Sequence, residues 1–148
     1  MYQLVKPLFF KMDPEKAHYF VVKRLNWFYE HFPFGKTLLH SWFDVHIKGL
    51  EREVFGLKFK NPVGLAAGFD KNGEYIEPLS ALGFGFIEVG TVTPLPQPGN
   101  DRPRMFRLPG DNALINRMGF NNKGVDTLAE RLRILKEKNT GIVIGAPD

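Results

Sequence analysis

Apolar positions follow two different patterns along the chain. From Asp13-Pro14-Glu15 onward they recur at helical spacing: Ala17, Phe20, Val21, Leu25, Trp27, Phe28 and Phe32, with Lys16, Lys23, Arg24 and Glu30 between them. Asp13 can accept from free backbone N–H groups, and Pro14 suits the first helical position, so a helix starts there. Pro33 and Gly35 end it, and a second short helix is predicted over about 37–45 with Leu38, Leu39, Trp42 and Phe43. Beyond residue 50 the apolar runs shorten. Val54-Phe55 and Leu57-Lys58-Phe59 flank Gly56 and predict a tight hairpin. Pro62 to Ala66 predicts a buried strand, 74–82 a helix with Ile76, Leu79 and Leu82 on one face, and Phe86 to Gly90 a second strand. Strand, helix and strand at this spacing form a βα unit with a right-handed crossover, so the two strands run parallel.

Residues 91–109 read as a long loop stiffened by Pro94, Pro96, Pro98, Pro103 and Pro109. Arg102, Arg104 and Arg107 are spaced along it as though to face an anion. Leu114 to Phe120 continues the ordered structure. A helix then starts at Asn121 or Asn122, carries Val125, Leu128, Leu132 and Leu135, and ends near Thr140-Gly141, before a third strand over Ile142-Val143-Ile144.

Composition narrows the class. At 43% hydrophobic and 24% charged over 148 residues, one folded domain with a real core is the expectation. The net charge of +4 suits an anionic ligand or surface, and the basic residues are too dispersed for a nucleic-acid interface. With no cysteine, disulfides, thiolate metal sites and thiol nucleophiles are excluded. No apolar run approaches the roughly 20 residues that cross a bilayer. Residues 1–12, interrupted by Lys6, Pro7 and Lys11, do not make a secretion signal. Twelve of the twenty aromatic residues and all four histidines lie in residues 1–48, so that segment meets a different environment from the rest. Its helices could cap a core, the commoner use of an apolar face, or lie in a membrane interface.

The candidate chemistry centres on Asn61 to Lys71. Ala66, Ala67 and Gly68 would let a flat group approach main chain closely, and Lys71 just beyond could meet its negative charge. The plainer alternative is a strand ending in a glycine turn with a solvated lysine. Thr91 and Asn116 fall on the same expected face, at strand ends and loops where α/β barrels place their sites. Asn116 can both donate to and accept from an amide or pyrimidine edge. No nucleophile–base pair is present: the histidines are all in the front segment, and Ser80 sits on a predicted helix. No His or carboxylate cluster has metal-ligand spacing either, so the residues favour binding a flat anion, with or without a redox cofactor, over hydrolysis.

These motifs resemble the amino-terminal part of the class 2, quinone-dependent dihydroorotate dehydrogenases. The resemblance is carried by Asp13-Pro14-Glu15-Lys16-Ala17-His18, Asn61 to Lys71, Gly83 to Thr93, Pro96 to Pro109 and Asn116-Arg117-Met118-Gly119-Phe120-Asn121, in the family's order. It implies an α/β protein: a partial (β/α)8 TIM-type barrel over residues 49–148, preceded by a short helical segment, residues 1–48, for membrane and quinone tunnel. By resemblance, FMN would contact Ala67, Gly68, Phe69, Asp70, Lys71 and Thr91. Dihydroorotate or orotate would meet Lys71, Asn116, Arg117, Met118, Gly119 and Phe120, and His18 and Arg107 would line the quinone tunnel. The implied reaction is hydride transfer from dihydroorotate to flavin and onward to quinone, in de novo pyrimidine biosynthesis. The implied location is the membrane periphery, at the cytoplasmic face of the inner membrane if the source is bacterial. With this resemblance the membrane-interface reading of residues 1–48 becomes the preferred one. A whole barrel needs roughly 250 residues, and the family's base serine lies beyond position 148. No catalytic residue and no metal ligand is therefore expected within this chain, and by itself it is expected to lack turnover. The alternative is a non-catalytic module for a membrane surface or a partner, derived from that enzyme.

Overall fold

The computed structural model describes residues 2–138 and 141–146. Three helices lead: α1 (Tyr2–Phe10), α2 (Pro14–His31) and α3 (Gly35–Phe43). The sequence pattern foretold α2 and α3 but not α1, whose nine residues include Pro7. Asp13 caps α2 as expected: its Oδ1 accepts from Lys16 N at 2.9 Å, and Pro14 opens the helix. The buried face of α2 differs from the one periodicity picked out. Ala17 and Val22 are buried and Leu25 packs on the core, whereas Phe20, Val21, Trp27 and Phe32 are exposed. An apolar helical stripe can be wider than the neighbouring surface available to cover it.

The hairpin forms where expected, as β1 (Arg52–Val54) and β2 (Leu57–Phe59), paired Val54 to Leu57 and Arg52 to Phe59. Its two-residue tip, Phe55-Gly56, has positive φ at both positions (51° and 75°), the turn hand that suits strand twist. The chain then builds β3 (Gly64–Leu65), α4 (Ile76–Ser80) and β4 (Phe86–Glu88). After β4 come β5 (Met105–Leu108), a short 3-10 turn at Pro109–Asp111, β6 (Ala113–Asn116), α5 (Val125–Glu137) and β7 (Val143–Gly145). The strands β3, β4 and β7 make one parallel sheet in the order β3-β4-β7, pairing Gly64 with Phe86 and Ile87 with Ile144. Parallel pairing was expected. The ladders are shorter than the apolar runs, because the chain continues beyond β4 with isolated bonds: Val89 N donates to Gly145 O at 2.9 Å and Gly68 N to Gly90 O at 2.8 Å.

One expectation fails outright. The loop read over 91–109 contains β5, which pairs antiparallel with β6 from Met105–Asn116 to Leu108–Ala113. Proline density hid it: the prolines at 103 and 109 bracket a four-residue strand without entering it. The helix read from Asn121 or Asn122 starts instead after Gly124, and its expected end at Thr140 lies outside the described residues. The core joins Ile76 and Leu79 of α4, Ile87 and Val89 at β4, and Leu128 and Leu135 of α5. Helices thus cover the sheet and leave its strand ends free to shape a cavity.

Candidate functional site

The carboxyl ends of β3 and β4 open into a cavity of about 860 Å3, walled on one side by α2 and on the other by the β5–β6 hairpin and the segment after it. Its floor is Ala66, Ala67 and Gly68. Gly68 has φ of 97°, and a Cβ built there would meet nothing within 4 Å, so the main chain faces open space. The rings of Phe69 and His18 meet in a T-shaped contact, centroids 4.7 Å apart and planes at 84°. Asp70 borders the cavity, but its carboxylate is turned inward, accepting from Glu74 N at 2.8 Å and Tyr75 N at 2.7 Å. Burial pushes its pKa up, opposed by those two N–H groups. That carboxylate shapes the turn that presents the next residue.

Lys71 is half-buried, and its Nζ donates to Asn121 Oδ1 at 2.7 Å. Burial pushes its pKa down, the nearby positive charge of Arg104 adds to this, and Glu15 opposes it. Such an ammonium gains from a bound anion. Thr91 and Asn116 line the same cavity as Lys71, so the three polar points read from the sequence come together around one space. Met118, Gly119 and Phe120 continue the wall, with Phe120 exposed. Arg117 borders it as well, but its Nη2 donates to Pro103 O at 3.2 Å and its guanidinium lies over Phe106 at 5.8 Å.

Of the two residues assigned to a quinone tunnel, His18 lines the cavity and Arg107 does not. Arg107 instead donates to Met12 O at 2.6 Å and sits over the Phe10 ring at 4.8 Å, tying β5 to the junction of α1 and α2. Burial lowers the pKa of His18, against the charge of Asp70. The anion that the loop arginines face is internal: Arg102 and Arg104 both bind the carboxylate of Glu15. Sequence reasoning missed Glu15, Tyr19, Tyr75, Asn100 and Asn121 as lining residues. Tyr19 had a usable signal, since on α2 it stands one turn from Glu15 and next to His18. For Asn100, in an irregular loop, there was none.

Among the described residues no group of His, Asp or Glu could hold a metal ion, and no helix is long and apolar enough to cross a membrane. A glycine-floored cavity at parallel strand ends, with the Lys71 ammonium and amide groups on its walls, defines an α/β protein. A model of the dihydroorotate dehydrogenase family matches residues 49–147. The chain is 57% identical over 142 residues to a dihydroorotate dehydrogenase (quinone) of Christiangramia forsetii, covering 96% of this chain and 40% of that protein. A protein of the same description from Coxiella burnetii is 52% identical over 146 residues, covering 98% of this chain and 40% of that protein. Among solved structures, a DHODH from Eimeria tenella in complex with ferulenol superposes with a TM-score of 0.69 at 38% identity, over 90% of this chain and 35% of that one. The chain belongs to the dihydroorotate dehydrogenase family. It spans about 40% of the length of the curated relatives it matches.

Proposed function

We propose that this chain forms the amino-terminal part of a quinone-linked dihydroorotate dehydrogenase, an FMN-dependent oxidoreductase of pyrimidine biosynthesis. Residues 49–148 would be the first part of a (β/α)8 barrel, and residues 1–48 a helical segment for membrane and quinone. The observation that carries the reading is the meeting of Lys71, Thr91 and Asn116 around the open floor at Gly68. That floor suits a flavin: its residues are small, and its main chain is free to lie against a ring. Ala67, Gly68, Phe69 and Thr91 would hold FMN, with Asp70 fixing the turn and Lys71 beside it. The chemistry FMN supplies when bound is acceptance of hydride from dihydroorotate and its onward transfer to quinone.

This chain's residues would bind and orient. The Lys71 ammonium, aimed by Asn121, meets the substrate carboxylate and stabilises negative charge beside the flavin site. Asn116 reads the pyrimidine edge in both hydrogen-bond directions, with Met118, Gly119 and Phe120 closing that wall. His18, on α2 and packed on Phe69, joins that helix to the flavin floor on the side where quinone would arrive. Arg107 would act there through the α1–α2 junction it braces, beside the cavity and not within it. The exposed apolar side chains of α1 (Leu4, Leu8), of α3 (Trp42) and of Phe34 just before α3 suit a place at the membrane periphery. The same side chains favour a second reading, a non-catalytic module for a membrane surface.

Titration of the purified chain with FMN separates the two. Flavin absorbance retained through gel filtration, with a further spectral shift on adding orotate, is the expected result. Liposome binding without flavin retention would replace the enzyme reading with the module.

A further inference from the structure

Glu15 lies on the first turn of α2 and is 5% exposed, too little for solvent alone to satisfy its charge. Two guanidinium groups satisfy it instead. Arg102 donates Nε to Oε2 at 3.0 Å and Nη2 to Oε1 at 2.9 Å; Arg104 donates Nε to Oε2 at 3.0 Å and Nη2 to Oε1 at 2.7 Å. Arg104 is itself 5% exposed and uses its remaining nitrogen on main chain, donating Nη1 to Pro98 O at 2.8 Å and Asn100 O at 3.1 Å. From there the bonds reach the cavity wall. Asn100 N donates to Met118 O at 3.1 Å, its Nδ2 to Arg117 O at 2.8 Å, and Arg117 N to Arg104 O at 2.9 Å. The packing is equally close at Gly99, where φ is 76° and a Cβ would press on the Met118 carbonyl and stand 2.8 Å from Arg104 Nη1.

A continuous set of charge-assisted and main-chain hydrogen bonds therefore runs from α2 to the segment after β6. We propose that Glu15 is a positioning residue for the Asn116–Phe120 wall: through Arg104 and the Pro98–Asn100 main chain it sets the geometry in which that wall meets the substrate. The last clause rests on the proposed reading of the wall as the dihydroorotate site. The linkage makes α2 and the wall one mechanical unit. A displacement of the front segment is felt at the substrate without passing through the flavin floor.

Hydrogen–deuterium exchange on the full chain tests this, with the unmutated protein, Glu15→Gln and Arg102→Ala, each with and without orotate. Glu15→Gln is expected to speed exchange at the Asn100 and Arg117 amides by about tenfold or more while α5 amides are unmoved, a local opening. It is also expected to raise the orotate concentration needed to protect residues 117–119 by about tenfold. Arg102 is 66% exposed and its loss leaves Arg104 paired, so Arg102→Ala folds and gives a smaller change at the same amides. Unchanged rates at Asn100 and Arg117 in both variants overturn the proposal, as does an equal rise across α5 and the parallel sheet. Orotate that fails to protect the wall of the unmutated chain, with the selective opening still present, removes the substrate reading and leaves the linkage standing.

Discussion

Lys71 and Glu15 stand on the cavity with opposite electrostatic problems. Lys71 has one neutral partner, Asn121, and is disfavoured as a cation by burial and Arg104, so a bound carboxylate removes a cost already present. Lys71→Ala in the flavin-loaded protein is expected to weaken orotate binding about tenfold or more and to lower flavin retention. Spectral titration checks it, and values close to the unmutated protein would return Lys71 to the role of a solvated surface cation. Glu15 is over-satisfied by two arginines, and hydrogen bonding from Arg104, ahead of Arg102, holds its pKa down from 4.5 to about 2. Its contribution is fully present above the unfolded value of 4.5 and is lost as pH falls toward about 2. The ceiling on that loss is roughly 3 kcal/mol. Urea unfolding from pH 5 to 2 is expected to show a steeper loss of stability in the unmutated chain than in Glu15→Gln. Parallel curves would place the acid sensitivity elsewhere. This pairing was not legible in the sequence, because Glu15 and Arg104 are 89 positions apart: the loop arginines called for an anion, and the helix start at Glu15 did not say that it would supply one.

Elements behave according to which face finds a neighbour. Helix α4 buries Ile76 and Leu79 against β4 and α5, and Leu79 is 2% exposed. Leu79→Ala is expected to cost about 2–5 kcal/mol, read as a lowered denaturation midpoint. A cost below about 1 kcal/mol would mean that the core collapses around the gap. The front helices are different. α3 buries Leu39 but leaves Trp42 at 65% exposure, and Phe34 just before it is 81% exposed. Phe34→Ser with Trp42→Ser is therefore expected to leave the denaturation midpoint in place while reducing co-sedimentation with anionic liposomes. That binding should weaken in high salt, since part of it is screened charge from the flanking lysines. Co-sedimentation unchanged by the double substitution would remove the membrane role from these two rings. Periodicity found α3 and α4, but α2, like Trp42 on α3, shows its limit: Val22, off the expected stripe, is buried, and Trp27, on it, is exposed.

At the scale of the whole molecule, the parallel sheet has, among the described residues, only β4 paired on both sides. Among the described residues the outer edges of β3 and β7 carry open N–H and C=O groups, which invite pairing with another strand. The purified chain is expected to elute from a size-exclusion column above monomer size at micromolar concentration, and a sharp monomer peak would show those edges to be protected. The sequence by itself determined the Asp13 cap of α2, the β1–β2 hairpin, the parallel relation of β3 and β4, and the glycine floor leading to Lys71. Each depends on contacts within a few residues, or on a period that a single element must satisfy. The tertiary structure alone decided that β5 pairs with β6 inside a proline-rich stretch, and that Arg107 turns to Met12 and Phe10. It also decided that the anion awaiting Arg102 and Arg104 is Glu15. Those outcomes depend on which side chains distant in sequence arrive at the same place. A charge or an apolar surface states what it needs, but only packing selects the group that supplies it.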